Sequence, residues 1–486
     1  MPQIYDTILG EYIKNPGARG LSLDDLALRD MDYKMISYDE VTGRKKLNFK
    51  DVDLQSASIY SAEDVYITWE LYKKQEKDNI VSNKVLIDIE IPLVDVLKDM
   101  EITGVKIDRD KLKGIGILLE SEITKLEKEI YSLAGEEFNI KSPSQVAKIL
   151  FEKLQLKSGK KTKTGFSVDS EVLEELAKNH EIARKLIDYR TYTKLLSNYV
   201  EGLLAELDDN DLIHTNYNQT IASTGRLSST NPNLQNIPTG KGISGEIRNA
   251  FIPLNNDEVI MAFDYSQVEV RVLAIMSGDQ NLLNAFKNNI DIHYNTAKFI
   301  FGKDDISKNK RKVAKSVNFG VIYGISAFGL SKMIDASIAD CKKYIDKFYE
   351  NYPQVREFFD AVVDNCKKTG YVETMFGRRR LIPGINDSNR IIAEAAKREA
   401  INMPIQGTAA DIIKLAMIKI DKFIKSNKMN SKLIMQVHDE LVFTVKKSEK
   451  EKLEKEVKNI MESVLVDKPI KLIVDVGHGK SWGEAK

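Results

Sequence analysis

The chain has 486 residues, 42% of them apolar and 30% charged, and its 72 basic and 72 acidic side chains cancel to a net charge of zero. That makeup suits a globular protein with room for two or three packed domains and excludes a disordered or fibrous chain. Zero net charge gives no general support for a polyanionic partner, so any such case must rest on local clusters.

Taken in chain order, the opening MPQIYDTILGEY has neither the basic lead nor the apolar core of an export signal. No apolar run approaches the ~18 residues of a membrane span, so a cytoplasmic location is expected. Residues 1 to 85 mix short helical patterns with a polar loop around Ser37 to Lys50, and IYSAEDVYITWELYKK reads as an amphipathic helix. From Asp108 to Gly202 the pattern is helical and charged: LKGIGILLESEITKLEKEIYSL repeats apolar residues every three or four positions, which predicts a pair of long antiparallel helices. SGKKTKTGF interrupts them with the composition of an exposed turn, and helix returns at SEVLEELAKN.

From Leu212 the composition turns to Gly, Asn, Pro and Ser in STGRLSSTNPNLQNIPTGKG, an ordered loop, followed by a strand at EVIMAFDY. After Val268 the chain reads as helical to about Ala410, broken at Gly278, Gly302, Gly324, Pro353 and Gly384. KLIMQV and ELVFTV flank His438 and Asp439 as the arms of a tight hairpin; a charged helix, SEKEKLEKEVKNIMESVL, and a last strand, IKLIVDVG, complete the chain. The two cysteines, Cys341 and Cys366, and the histidine spacings suggest neither a disulfide framework nor structural zinc. Three basic clusters stand out: Lys160, Lys161 and Lys163; Lys308, Lys310, Arg311, Lys312 and Lys315; and Arg378, Arg379 and Arg380. Each alone fits a solvated face as well as a binding site.

Two aspartates carry the chemical argument. Asp264 ends the EVIMAFDY strand and Asp439 follows KLIMQVH, so each sits on a rigid strand end, a good mount for a hard cation. Brought together, two such carboxylates can hold Mg²⁺ ions about 3.5–4 Å apart, the spacing that serves phosphoryl transfer in polymerases and nucleases. Judged singly, each also fits a plain strand cap. Between them, KRKVAKSVNFGVIYG repeats Arg311, Lys315, Phe319 and Tyr323 every four residues, a slowly drifting stripe on one helix face. Its cations suit a triphosphate and its aromatics a base, although a basic amphipathic helix with an aromatic seam has the same pattern. The terminal GHGKS lacks the first glycine of a P-loop and no helix follows it; no nucleophile elbow or HExxH is present.

DYSQVEVR, RKVAKSVNFGVIYG and QVHDE, in that order, resemble the three signatures of family A DNA polymerases, the group of bacterial DNA polymerase I. STGRLSSTNPNLQNIP, YVETMFGRRRLIP and NMPIQGTAADIIKLAM extend the resemblance from about residue 85 to the C-terminus. It implies a mixed α+β right hand with an antiparallel palm sheet, helical fingers and a helical thumb. The implied division is an exonuclease-like remnant at 1–85, a connector at 86–108, the thumb at 109–205, palm at 206–270, fingers at 271–400 and palm again at 401–486. The implied activity is templated addition of deoxynucleotides to a primer 3′-hydroxyl with pyrophosphate release, by a monomer, in DNA replication and repair.

By the same resemblance Asp264 and Asp439 bind two Mg²⁺ ions, with Mn²⁺ as a substitute and the Tyr265 carbonyl as a further ligand, while Glu440 supports them. Arg311, Lys315 and His293, the last in DIHYNTA, contact the incoming triphosphate, and Lys315 is the candidate general acid for pyrophosphate. Gln267, Phe319 and Tyr323 join the nucleotide site. Glu269 packs near Tyr323 where the family excludes a ribose 2′-hydroxyl, and a phenylalanine at 319 implies discrimination against dideoxynucleotides. Arg226, Asn233, Gln235, Arg378, Gln406 and His438 match positions that touch the template–primer backbone or minor groove, contacts that check shape without reading sequence. Lys160, Lys161 and Lys163 fall at the thumb tip, where they would grip duplex phosphates.

The chain departs from the family pattern at its N-terminus. Only Tyr60 and Asp64 match a proofreading domain, and then only its final motif; one carboxylate cannot hold a two-metal site. No 3′→5′ exonuclease and no 5′-nuclease are expected, and a shortened form or partial gene product is the simpler explanation. The competing readings are a two-metal nuclease, a catalytically silent DNA-binding relative, and a translesion or reverse-transcribing member of the family.

Overall fold

The computed structural model describes residues 4–44, 46–157, 165–240, 242–302 and 306–485, and the backbone of 161–162. Its centre is a four-stranded antiparallel sheet in the order Lys432–Val437, Glu440–Lys446, Glu258–Tyr265, Val474–Gly479. The strand Glu258–Tyr265 pairs on both sides, with Asp264 opposite Glu440 on one neighbour and Asp475 on the other.

That strand is apolar without alternation because both of its faces are covered. Met261, Phe263 and Tyr265 point into one large core, and Ile260 and Ala262 into a second. Its neighbour divides the same way, Leu441, Phe443 and Val445 against Val442. Phe263 and Phe443 meet edge to face at 5.4 Å between ring centres, and full burial of each such side chain is worth about 1.5–3 kcal/mol. The second core is closed by Trp482, fully buried and edge-on to Phe251 at 5.4 Å.

The expected antiparallel helix pair is Arg109–Ala134 against Glu181–Lys194, whose helical path continues through 195–205. Leu112, Ile115 and Leu119 at the start of the first cluster with Leu195, Val200 and Leu203 at the end of the second. Leu126 and Ile130 instead meet Ala183 and Leu186, so the two run in opposite directions. Asp108 caps the first helix by accepting from the Lys111 amide, and Gly135 ends it with φ +72°, the left-handed conformation that glycine adopts without steric cost.

Three sequence expectations need correction. YVETMFGRRRLIP is not helical: Tyr371–Glu373 and Arg379–Leu381 form a hairpin, closed by Thr374 N–H donating to the Arg378 carbonyl at 2.9 Å. The helix expected to stop near Ala410 runs Arg390–Ser426, because buried Ile413, Met417, Ile420 and Ile424 continue the three- and four-residue spacing. The last strand starts at Val474; Ile470 and Leu472 are buried in the large core without pairing, so apolar character there marks packing rather than sheet. Cys341 and Cys366 are buried free thiols. Among the described residues no helix is long and apolar enough to cross a membrane.

Candidate active site

The sheet end carrying Asp264 is also the hairpin end carrying Asp439. His438 and Asp439 form a two-residue turn between paired Val437 and Glu440, and Glu440 lies opposite Asp264. Asp439 therefore sits one residue beyond the partner of Asp264, and its carbonyl accepts from the Tyr265 amide at 3.1 Å. His438 takes φ +56° and Gln267, at the start of the helix Val268–Ser277, takes φ +53°. A non-glycine residue there costs about 1–3 kcal/mol, strain that concentrates at functional sites.

Beside this sheet end opens a cavity of about 480 Å³. Arg311, Lys315, Phe319 and Tyr323 all line it, so the four-residue stripe faces one space. The opposite face of their helix, Lys308–Ile322, buries Ala314, Val317 and Val321. Asp439, Glu269, Gln267, His293, Arg226, Gln235 and His438 also line it. Carboxylates, cations and two aromatic rings thus share one space.

The electrostatics are specific. Burial pushes the Asp439 carboxyl above the usual carboxylate range, opposed by its own backbone and by His438 and Arg226. Burial also raises Glu269, although Arg226 and the Tyr323 hydroxyl hold its ionised form; Tyr323 Oη donates to Glu269 Oε2 at 2.8 Å and Arg226 pairs with Oε1. Tyr323 itself is pushed up to about 12 by burial and by Glu269. His293 is lowered to about 4, first by burial and then by the charges of Arg311 and Lys315, against the pull of Asp291. Its Nδ1 lies 2.9 Å from the buried Asn318 amide, and its ring is 5.7 Å from that of Phe319.

The donor set suits a hard divalent cation: two carboxylates on adjoining backbone, with the Tyr265 carbonyl between them in sequence. Magnesium takes one or two carboxylates and leaves its other positions to water and phosphate. Among the described residues no group of three or more His, Cys, Asp or Glu side chains forms a closed cage.

The remaining expected residues are placed unevenly. Glu440 is buried on the same sheet, accepting from Trp482 Nε1 at 2.8 Å with Arg248 at 4.0 Å. The Tyr265 side chain points into the core, donating to the Met461 carbonyl at 2.8 Å. Asn233 caps the turn Leu234–Asn236, Gln235 donates to Gln436 Oε1 at 2.8 Å, and Gln406 opposes the upward push of burial on the Tyr323 hydroxyl. Arg378 corrects its expectation of touching a duplex. Its side chain is 0% exposed, paired with Asp411 and Glu90, so neutralisation inside the protein leaves it no surface for DNA. Gly225, with φ +85°, makes room for it: a Cβ there would meet Arg378 Nε at 2.7 Å. The side chains of Lys160, Lys161 and Lys163 lie outside the described residues.

Sequence reasoning missed Lys414 and Gln436, which line the cavity, and Asp291, which pairs with Arg311 at 2.7 Å. Lys414 had one signal: a lone lysine on the apolar face of DIIKLAM.

Known proteins resemble this chain in sequence and fold. The family model described as DNA polymerase family A matches residues 109–484. A DNA polymerase I of Lactococcus lactis subsp. lactis (strain IL1403) is 47% identical over 416 residues, covering 85% of this chain and 47% of that protein. The DNA polymerase I of Bacillus subtilis (strain 168) is 43% identical over 490 residues, covering 99% and 55%. The chain spans about half the length of the curated relatives it matches. Among solved structures, the POL domain of Pol1 from M. smegmatis, in complex with DNA primer-template and dNTP, aligns with a TM-score of 0.89 at 35% identity, covering 99% of this chain and 82% of that one. The mixed α+β polymerase fold expected from sequence is thereby shown. With a family model spanning most of its length, this chain belongs to DNA polymerase family A.

Proposed function

We propose that this chain is a DNA-directed DNA polymerase that adds deoxynucleotides to a primer 3′-hydroxyl and releases pyrophosphate. The observation that carries the reading is the single cavity that unites Arg311, Lys315, Phe319 and Tyr323 with Glu269 and Asp439, beside the sheet end where Asp264 lies opposite Glu440. A helix of cations and aromatics facing Asp439, beside the sheet end that carries Asp264, suits nucleotide transfer better than hydrolysis, which needs no such helix.

In this reading Asp264, Asp439 and the Tyr265 carbonyl hold two Mg²⁺ ions, or Mn²⁺ in their place. When bound, such a pair eases the negative charge that builds on the attacking and leaving oxygens. Arg311, Lys315 and His293 bind the triphosphate, the first as a planar fork and the second as a point charge. Lys315 Nζ carries the proton handed to the departing pyrophosphate. Phe319 and Tyr323 pack against the base and sugar, Gln267 lines the same wall, and the Glu269–Tyr323 contact fills the space a ribose 2′-hydroxyl would need. Arg226, Asn233, Gln235, Gln406 and His438 meet the template–primer; Arg378 braces the site from within. Glu440 holds the sheet end through Trp482 and Arg248.

The domain division follows: thumb at 109–205, palm at 206–270 and 401–486, and fingers at 271–400, ahead of which 1–85 and 86–108 form the exonuclease-like part and connector. The helix Arg390–Ser426, with Pro404 inside it, then runs from fingers into palm. Asp64 in the N-terminal part has burial and the charges of Asp24 and Glu63 raising its carboxyl. It is the one carboxylate there that matches a proofreading motif, so we infer that residues 1–486 do not remove a mispaired primer terminus. Shortening of a labelled mispaired primer, abolished by Asp64→Asn, would sink that inference. The main reading is tested by extension of a labelled primer on a defined template with one deoxynucleotide at a time. Addition only of the complementary nucleotide is expected; primer degradation without synthesis would favour a nuclease instead.

A further inference from the structure

Arg311 is engaged by a carboxylate at the edge of the cavity. Its Nε donates to Asp291 Oδ2 at 2.7 Å, and its Nη2 lies 2.7 Å from the same oxygen. The other oxygen of that carboxylate, Oδ1, accepts from the amides of His293 at 2.9 Å and Tyr294 at 3.1 Å, capping the helix Ile292–Phe301. One side chain therefore ties two elements together. Its first oxygen holds the start of the helix that carries His293, its second holds the guanidinium on the helix Lys308–Ile322, and both His293 and Arg311 line the cavity.

We propose that Asp291 is a positioning residue for the triphosphate, an inference that rests on the nucleotide-transfer reading of this cavity. A guanidinium has five N–H donors. Asp291 takes the edge formed by Nε and Nη2 and leaves Nη1 and the second Nη2 proton for a phosphate. The arginine is thus fixed without being used up, and the rotamer entropy of a long exposed side chain is spent before the nucleotide arrives. Although burial pushes the Asp291 carboxyl up, the Arg311 guanidinium and the helix amides bring it below its ordinary range, so it stays charged at neutral pH. The pair is about 40% exposed on both sides, so its contribution is the modest one of a surface ion pair. That corresponds to about a two- to fivefold effect on affinity.

Asparagine separates the two jobs of this residue. It caps a helix as well as aspartate does, but it carries no charge for Arg311. Equilibrium binding of 2′-deoxyadenosine triphosphate with Mg²⁺ is compared by calorimetry in the wild type, Asp291→Asn, Arg311→Ala and the double variant, alongside each protein's melting temperature. Asp291→Asn is expected to weaken binding about two- to fivefold at unchanged melting temperature. In the Arg311→Ala background the same substitution is expected to add nothing, because the partner it acts through is gone. Steady-state extension should show the loss in KM with kcat little changed. Unchanged or tighter binding by Asp291→Asn overturns the proposal, as does an equal loss in the Arg311→Ala background. A wild type that binds the nucleotide and responds as described, yet extends no primer, would leave Asp291 in this role and overturn the polymerase reading instead.

Discussion

Beneath the cavity lies a cluster of four buried charges whose removal has a calculable cost. Glu90 accepts from Lys414 Nζ at 2.7 Å and Gln219 Nε2 at 2.6 Å and pairs with Arg378, which also binds Asp411 at 2.8 Å. All four charged side chains are at most 1% exposed, and two carboxylates balance two cations. Glu90→Ala keeps Arg378 paired with Asp411 but takes from Lys414 its hydrogen-bond acceptor and leaves one uncompensated positive charge. Breaking a buried pair in this way costs about 3–5 kcal/mol. Burial already pushes the Lys414 ammonium below its ordinary range, so part of the loss will appear as deprotonation of that lysine. Glu90→Gln, which keeps an acceptor, is expected to cost less. Glu90→Ala with Lys414→Met is expected to recover most of the loss, since replacing both partners by apolar groups removes the desolvation problem with the charge. Urea midpoints followed by circular dichroism supply the differences. A Glu90→Ala shift below about 1 kcal/mol, or a double variant no more stable than Glu90→Ala, would refute the reasoning.

Two further outcomes follow from the cavity itself. Phe319→Tyr is expected to increase dideoxynucleotide incorporation, and a primer-extension assay with equal dideoxy use by both forms would count against that role of Phe319. His293, lowered to about 4 by burial, is expected to stay neutral at physiological pH. An unfolded histidine titrates near 6.5, so as pH falls from about 6.5 to 4 the unfolded chain takes up the proton first and the contribution of His293 to stability is lost across that window; above it nothing changes. NMR titration of the His293 ring gives the midpoint directly, and a value above 6 would contradict the burial argument.

The parts of this site legible in sequence are those whose signal is local. Asp264 announces itself because five apolar residues of a doubly covered strand precede it, and the Arg311–Tyr323 stripe because helical spacing puts it on one face. The hairpin around Asp439 is legible from its two apolar arms, although the register that sets Glu440 opposite Asp264 is not. Arg378 misled because a buried cation and an exposed one look alike in sequence: its partner Glu90 lies 288 positions away, and Lys414 lies 324 from the same carboxylate. The Tyr371–Leu381 hairpin was hidden for a related reason. Three-residue strands carry too few alternations to stand out from helix. Asp291 reads simply as a helix cap in DIHYNTA, and only the folded chain reveals that its second oxygen faces Arg311.

The most direct test of the central claim is templated primer extension by Asp264→Asn and Asp439→Asn, with folding and primer-template binding measured on the same preparations. Each substitution replaces one carboxylate at the sheet end by an amide of the same shape. Loss of several kcal/mol of transition-state stabilisation is expected, on the order of a 10³-fold fall in extension rate, with binding retained. Extension by either folded variant within about tenfold of the wild type, a difference of only about 1.4 kcal/mol, would contradict the account.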